Sequence, residues 1–173
     1  LRVPSGVTMV ATDDPAYKPD NKDGAGGVWL FWLTLIGEGL LEAGQIEAAA
    51  ALTARLLEVQ IEALRANKAF SEYYHAELPV GLGEQGAVSG IAPIYLFMRL
   101  AGVRIVSARR VWAGGAYPFE HSVTVHRLGV TVMRSAAGTQ VRFPGGRTVD
   151  LPPDAPLTEI SDAELTPSAD DPT

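Results

Sequence analysis

The hydrophobic pattern of this chain changes period along its length. Residues 28–43 read Val-Trp-Leu-Phe-Trp-Leu-Thr-Leu-Ile-Gly-Glu-Gly-Leu-Leu-Glu-Ala. The first half of that stretch is apolar on every side, the mark of a helix buried all round. Gly44 stands where a left-handed residue closes a helix. Residues 45–67 are amphipathic instead: Ile46, Ala49, Leu52, Leu56, Val59 and Ala63 recur at steps of three and four. Leu57, Ile61 and Leu64 widen that stripe, while Glu47, Arg55, Glu58, Glu62 and Arg65 take the polar face. The short link between the two helices predicts an αα-hairpin. A third helix is predicted over 91–101, with Pro93 tolerated in its first turn and Gly102 ending it.

From Arg104 onward the period becomes two. Val123 and Val125, Val130 and Val132, Val141 and Phe143, and Val149 and Leu151 alternate with polar neighbours, as half-buried strands do. Ala137-Gly138 and Pro144-Gly145-Gly146 supply hairpin turns. Residues 1–27 carry turn chemistry (Asp13-Asp14-Pro15, Lys18-Pro19-Asp20-Asn21, Asp23-Gly24-Ala25-Gly26-Gly27) and read as a long irregular segment. Beyond Pro152-Pro153 the chain is acidic and Pro-rich, and 158–173 read as a disordered tail. Three helices and a small sheet give the first helix nothing to bury against on all sides. The chain therefore reads as part of a larger domain, beginning at Leu1 in the middle of a longer protein.

Composition narrows the function classes. A length of 173 residues with 47% hydrophobic and 20% charged residues is globular composition. The net charge of -6 argues against nucleic acid or an anionic membrane surface, because no basic stripe exists to neutralise phosphates. Cysteine is absent, which excludes disulfides and thiolate metal sites. His75, His121 and His126 lack the spacing of a helical ligand pair, so no metal and no cofactor is expected. The longest apolar run, 28–36, is too short to span a bilayer, which takes about 20 residues. With no signal peptide in view, the chain reads as cytoplasmic.

The candidate chemistry lies in Phe70-Ser71-Glu72-Tyr73-Tyr74-His75, next to the Gly-rich turn Gly81-Leu82-Gly83-Glu84-Gln85-Gly86. Glu72 is either a surface acid at a helix–loop junction or a carboxylate partly desolvated by aromatic walls. The second arrangement suits general acid–base work on a glycosidic bond, with the rings as a platform for sugar. Trp29 and Trp32 face a similar choice between core and ligand platform, and Trp29, nearer the Gly-rich loop, is the better placed. His75 reads as a rim residue. Gly24-Ala25-Gly26-Gly27 is no phosphate loop, since no Lys-Ser/Thr pair follows it.

The order of these motifs carries a resemblance. Gly26-Gly27-Val28-Trp29, a buried helix with Gly39-Leu40, an amphipathic helix, Phe70-Ser71-Glu72-Tyr73-Tyr74 and Ser89-Gly90-Ile91-Ala92-Pro93-Ile94 follow one another in sequence. Together with Val125-His126-Arg127-Leu128-Gly129-Val130, they make residues 3–151 resemble the C-terminal portion of (α/α)6-toroid glycoside hydrolases. The nearest are the family 63 and mannosylglycerate-hydrolase-like enzymes, with trehalases more distant. The resemblance implies a mainly α fold: the last helical hairpins of an (α/α)6 toroid over 1–103, followed by a small antiparallel β region over 104–157. It implies an inverting hydrolase of α-glucosides or related glycosides, with the remainder of the toroid as partner. Glu72 matches the family's general base and Trp29 its sugar-contacting tryptophan; Tyr73, Tyr74 and His75 become candidate substrate contacts. The family's general acid, an Asp borne earlier in the toroid, has no matching motif, so this chain alone is expected to be inactive. Ala25 and Val88 stand where relatives carry a cationic-aromatic segment and a Trp. Those departures leave open a non-catalytic carbohydrate-binding or interaction module.

Overall fold

The computed structural model describes residues 2–23 and 25–162. The mainly α toroid fold is overturned. Among the described residues there are three helices and eleven strands, and the strands form four antiparallel sheets. This is a mixed, β-rich architecture. The helical periodicity marks the three helices, but the stretch between the second and third forms strands rather than a loop. The chain divides into two compact units, Leu1–Leu100 and Ala101–Thr173.

In the first unit, α1 (Leu30–Glu42) and α2 (Ile46–Asn67) pack together across a three-residue link. Gly44 adopts a left-handed φ of 72°, and the amides of Gly44 and Gln45 donate to Leu41 O and Leu40 O, satisfying carbonyls at the helix end. The stripe read on α2 is its buried face: Ala49, Leu52, Leu56, Val59 and Ala63 are all in the core. Leu52, Leu56, Val59 and Ala63 cluster with Val28, Leu30 and Leu33 from the α1 side, together with Val3, Tyr74 and Ala76. α3 (Ala92–Leu100) follows a short 3-10 turn, Val88–Ile91, and its second residue is Pro93. A side chain at Gly37 would meet the Leu96 side chain of α3, which packs over this glycine.

The stretch read as irregular at the start of the chain is pinned down. β1 (Arg2–Val3) and β2 (Gly6–Val7) form a small hairpin. Arg55 donates to Val3 O at 2.9 Å, and the Ser5 amide donates to Ala76 O at 2.9 Å. Further on, the Ala76 amide donates to Pro19 O at 2.8 Å. The segment read as a helix–loop junction is a second hairpin, β3 (Ser71–Tyr74) with β4 (Gly81–Gln85). Its aromatic Tyr73-Tyr74 pair favours a strand, while the φ freedom of glycine serves Gly83, at φ 73° where the register shifts.

The second unit contains β5 (Val103–Ser107), β6 (Arg110–Ala113), β7 (Val123–Arg127), β8 (Val130–Ser135), β9 (Gly138–Arg142), β10 (Thr148–Leu151) and β11 (Thr158–Ser161). One sheet has the order β10-β9-β8-β7 and the other β11-β6-β5. Period-two alternation puts Val130, Val132, Val141 and Phe143 in the core. Leu128 and Gly129 both have positive φ, the backbone of a two-residue hairpin turn between β7 and β8. β11 pairs with β6 inside the span read as a disordered tail; residues 163–173 of that span lie outside the described residues. Among the described residues no helix is long and apolar enough to cross a membrane.

Arg134 is 1% exposed on the core side of β8. Its guanidinium donates to Ala101 O at 2.9 Å, to Gly114 O, and to Gly115 O at 2.7 Å. It also lies over the Tyr117 ring, 5.2 Å from the centroid. Burial draws its pKa below the ordinary arginine value. Three separate carbonyls and a ring face replace the water that the buried charge has lost.

Candidate functional site

Strand pairing, not helix geometry, builds the surroundings of Glu72. The backbones of Val28 and Tyr74 exchange two hydrogen bonds, of 2.7 and 2.9 Å, as an isolated antiparallel bridge. Trp29 continues that extended stretch, with φ -102° and ψ 104°, before α1 begins. It is therefore directly opposite Tyr73, and cross-strand neighbours of this kind meet on one face. Their rings stack with centroids 5.3 Å apart and planes 16° from parallel. The Tyr73 hydroxyl donates to Asp20 O at 3.3 Å, so the loop before Val28 also holds the ring. Gly27 leaves space for it: a Cβ there would sit 2.8 Å from Tyr73 Cδ2.

The β3–β4 ladder slips by one residue at Glu72. Ser71 pairs with Gln85, but Tyr73 pairs with Leu82, so Gly83 and Glu84 together face Glu72. Gly83 has φ 73°. A left-handed glycine in the first position of a two-against-one mismatch is a G1 bulge, a device that locally re-aims side chains. The Glu84 amide donates to Glu72 Oε2 at 3.2 Å. A Cβ on Gly83 would collide with Glu72 Oε2 and stand 2.9 Å from Tyr73 Cε1. The carboxylate and the ring edge thus converge on one glycine. Glu72 is half-buried, with one oxygen held by a backbone N–H.

The other sequence candidates fall in different places. Tyr74 is fully buried in the core, so it cannot contact a substrate directly. Its hydroxyl accepts the Ser71 amide at 3.4 Å, and burial raises its pKa above the ordinary phenol value. Tyr73 is 8% exposed, enough for a ring edge and little more. Trp29 is half-buried, and Trp32 is 55% exposed on the outer side of α1. His75 shapes a turn: its Nδ1 accepts the amides of Glu77 and Leu78 at 3.1 and 3.2 Å, which places any ring N–H on Nε2. Its own amide donates to Val80 O at 2.9 Å, closing the loop between β3 and β4.

Glu72, Tyr73 and Trp29 are thus brought together, while Tyr74 is behind them and His75 sits at the hairpin end. Sequence reading missed Gly83 and the Glu84 amide as the parts that set the carboxylate. The signal was present in Gly81-Leu82-Gly83, where alternate glycines flank an apolar residue opposite the aromatic strand. Among the described residues no group of three or more His, Asp or Glu side chains could hold a metal ion. Chemically, the arrangement offers a positioned carboxylate beside an aromatic wall. No protein-family model matches this chain, and no curated protein matches it significantly.

Proposed function

We propose that this chain supplies the general base of an inverting glycoside hydrolase acting on α-glucosides or related glycosides. The observation that carries the reading is Glu72 held on a G1 bulge by the Glu84 amide, beside the Trp29–Tyr73 stack. A base must present a fixed lone pair to a water, and one oxygen anchored by backbone leaves the other to do so. An aromatic face suits the apolar C–H face of a pyranose. Inversion needs a second carboxyl group about 6.5–9.5 Å away across the scissile bond. That acid has no assigned residue here, and the chain by itself is expected to turn over no substrate.

The experiment separates binding from chemistry. Titration with maltooligosaccharides is expected to change Trp29 fluorescence, and Trp29→Ala to abolish the saturable binding. In the protein that also supplies the acid, Glu72→Gln is expected to lower kcat by at least about 1000-fold with KM little changed. Unchanged hydrolysis in that variant removes Glu72 from the mechanism. Robust turnover by the 173-residue chain alone refutes the division of the catalytic pair. A second reading is a carbohydrate-binding module without catalysis, favoured by an aromatic stack beside which Glu72 is the one carboxylate placed among the described residues. It is distinguished by saturable binding with no effect of Glu72→Gln on any hydrolysis.

A further inference from the structure

The first two turns of helix α1 turn an apolar face outward. Phe31, Trp32, Leu35 and Ile36 are 45–55% exposed. At 100° per residue they share the side opposite Leu30, Leu33, Thr34 and Gly37, which are buried. Beside it α3 exposes Ile94 and Tyr95, and the preceding turn exposes Val88 and Ile91. At about 200 Å² for each large side chain, half-exposure of these eight leaves roughly 800 Å² of apolar surface. That exceeds the ~300–600 Å² of the largest patch on a typical monomer. It matches the ~800 Å² that one partner brings to a stable interface.

We propose that this face joins two copies of the chain in a two-fold dimer. A two-fold contact lays a patch on itself, so it must carry no charge that meets its own kind. The part of this patch formed by Phe31, Trp32, Leu35 and Ile36 with Val88, Ile91, Ile94 and Tyr95 carries no charge. At its margin Glu38 and Arg99 are paired with each other at 3.3 Å, and the exposed Glu42 follows Gly39 at the end of α1. Elsewhere in the first unit the outer face of α2 presents Glu47 and Glu58 to solvent, charges that a two-fold contact there would set against their own kind. Two rows at i, i+4 spacing, Phe31–Leu35–Gly39 and Trp32–Ile36, form ridges with a groove between them, the surface that receives a helix ridge. Gly39 has open space around its Cβ position, so a second backbone can approach closely. The dimer does not depend on the glycosidase reading.

Sedimentation equilibrium on the 173-residue chain over about 1–100 µM is expected to fit a monomer–dimer equilibrium with low-micromolar dissociation. Leu35→Glu, at an exposed position that folding tolerates, is expected to weaken it at least about 100-fold by placing unpaired carboxylates in the contact. The chain has no cysteine, so a single introduced one reports position cleanly. Gly39→Cys is expected to oxidise to a covalent dimer at least about ten times faster than Glu58→Cys on the outer face of α2, since a bridge needs Cα atoms within about 7 Å. A chain monomeric at the top concentration overturns the proposal. So does a dimer that Leu35→Glu leaves intact, open-ended aggregation, or equal oxidation of the two cysteine variants. A different protein that covers this face while the chain alone stays monomeric also overturns it.

Discussion

Replacing Gly83 by alanine tests whether a bulge holds Glu72 in place. Two costs add at this position. The left-handed φ of 73° costs a side-chain-bearing residue about 1–2 kcal/mol. The new Cβ collides with Glu72 Oε2 and presses on Tyr73 Cε1 at 2.9 Å. The carboxylate must swing away and give up its bond from the Glu84 amide, worth about 1 kcal/mol at a half-exposed site. The expected loss is about 2–3 kcal/mol, which at an m-value near 1–2 kcal/mol/M lowers the urea midpoint by roughly 1–3 M. Urea unfolding followed by tryptophan fluorescence in a Trp112→Phe background reads the first unit alone, through Trp29 and Trp32. A double-mutant cycle isolates the carboxylate: in a Glu72→Ala background the cost of Gly83→Ala should fall by about 1 kcal/mol. A cost below about 0.5 kcal/mol, or the same cost in both backgrounds, would refute the bulge argument.

Other outcomes follow from the same geometry. Arg134→Met should destabilise the second unit by at least about 3 kcal/mol, because three inward-facing carbonyls lose their donor; Arg134→Lys should rescue little, since an ammonium cannot reproduce the planar fork. Trp112 fluorescence against urea reads both. Tyr74 gives a pH dependence. Its folded pKa is raised by burial, so its contribution is complete below the ordinary value of 10.0 and is lost as pH rises, the unfolded chain giving up its proton first. Tyr74→Phe should flatten the alkaline limb of a thermal-stability profile; an unchanged limb would contradict this. Gly37→Ala should be near neutral, since Leu96 can shift and alanine gains about 1 kcal/mol of helix propensity, whereas Gly37→Val should cost more than about 1 kcal/mol. Thermal melts of the two variants decide it.

The helices were legible because their information is local. A stripe at steps of three and four, a glycine able to take positive φ at position 44, and a proline in a first turn each act within a few residues. The hairpins of the second unit were legible for the same reason, from two-residue alternation and glycine turns. β3 was not: four residues of Ser-Glu-Tyr-Tyr are too short for a period to register, and its partners lie at Val28 on one side and at Gly81–Gln85 on the other. The pinned stretch at the start of the chain was hidden likewise, because turn residues do not announce that Val3 meets α2 or that Ser5 bonds Ala76.

For the candidate site the division is sharper. Sequence alone named Glu72 and its aromatic company, and placed Trp29 at the head of the first helix, which it expected to be buried on every side although Phe31, Trp32, Leu35 and Ile36 face outward. Only tertiary structure decided which of those rings matter: Tyr73 stacks on Trp29 because the Val28–Tyr74 bridge sets them opposite, and the same bridge carries Tyr74 into the core. A one-residue shift in strand pairing moves a side chain to the other face, and no local pattern reports where such a shift falls. It falls at Gly83, where two backbone residues meet one carboxylate.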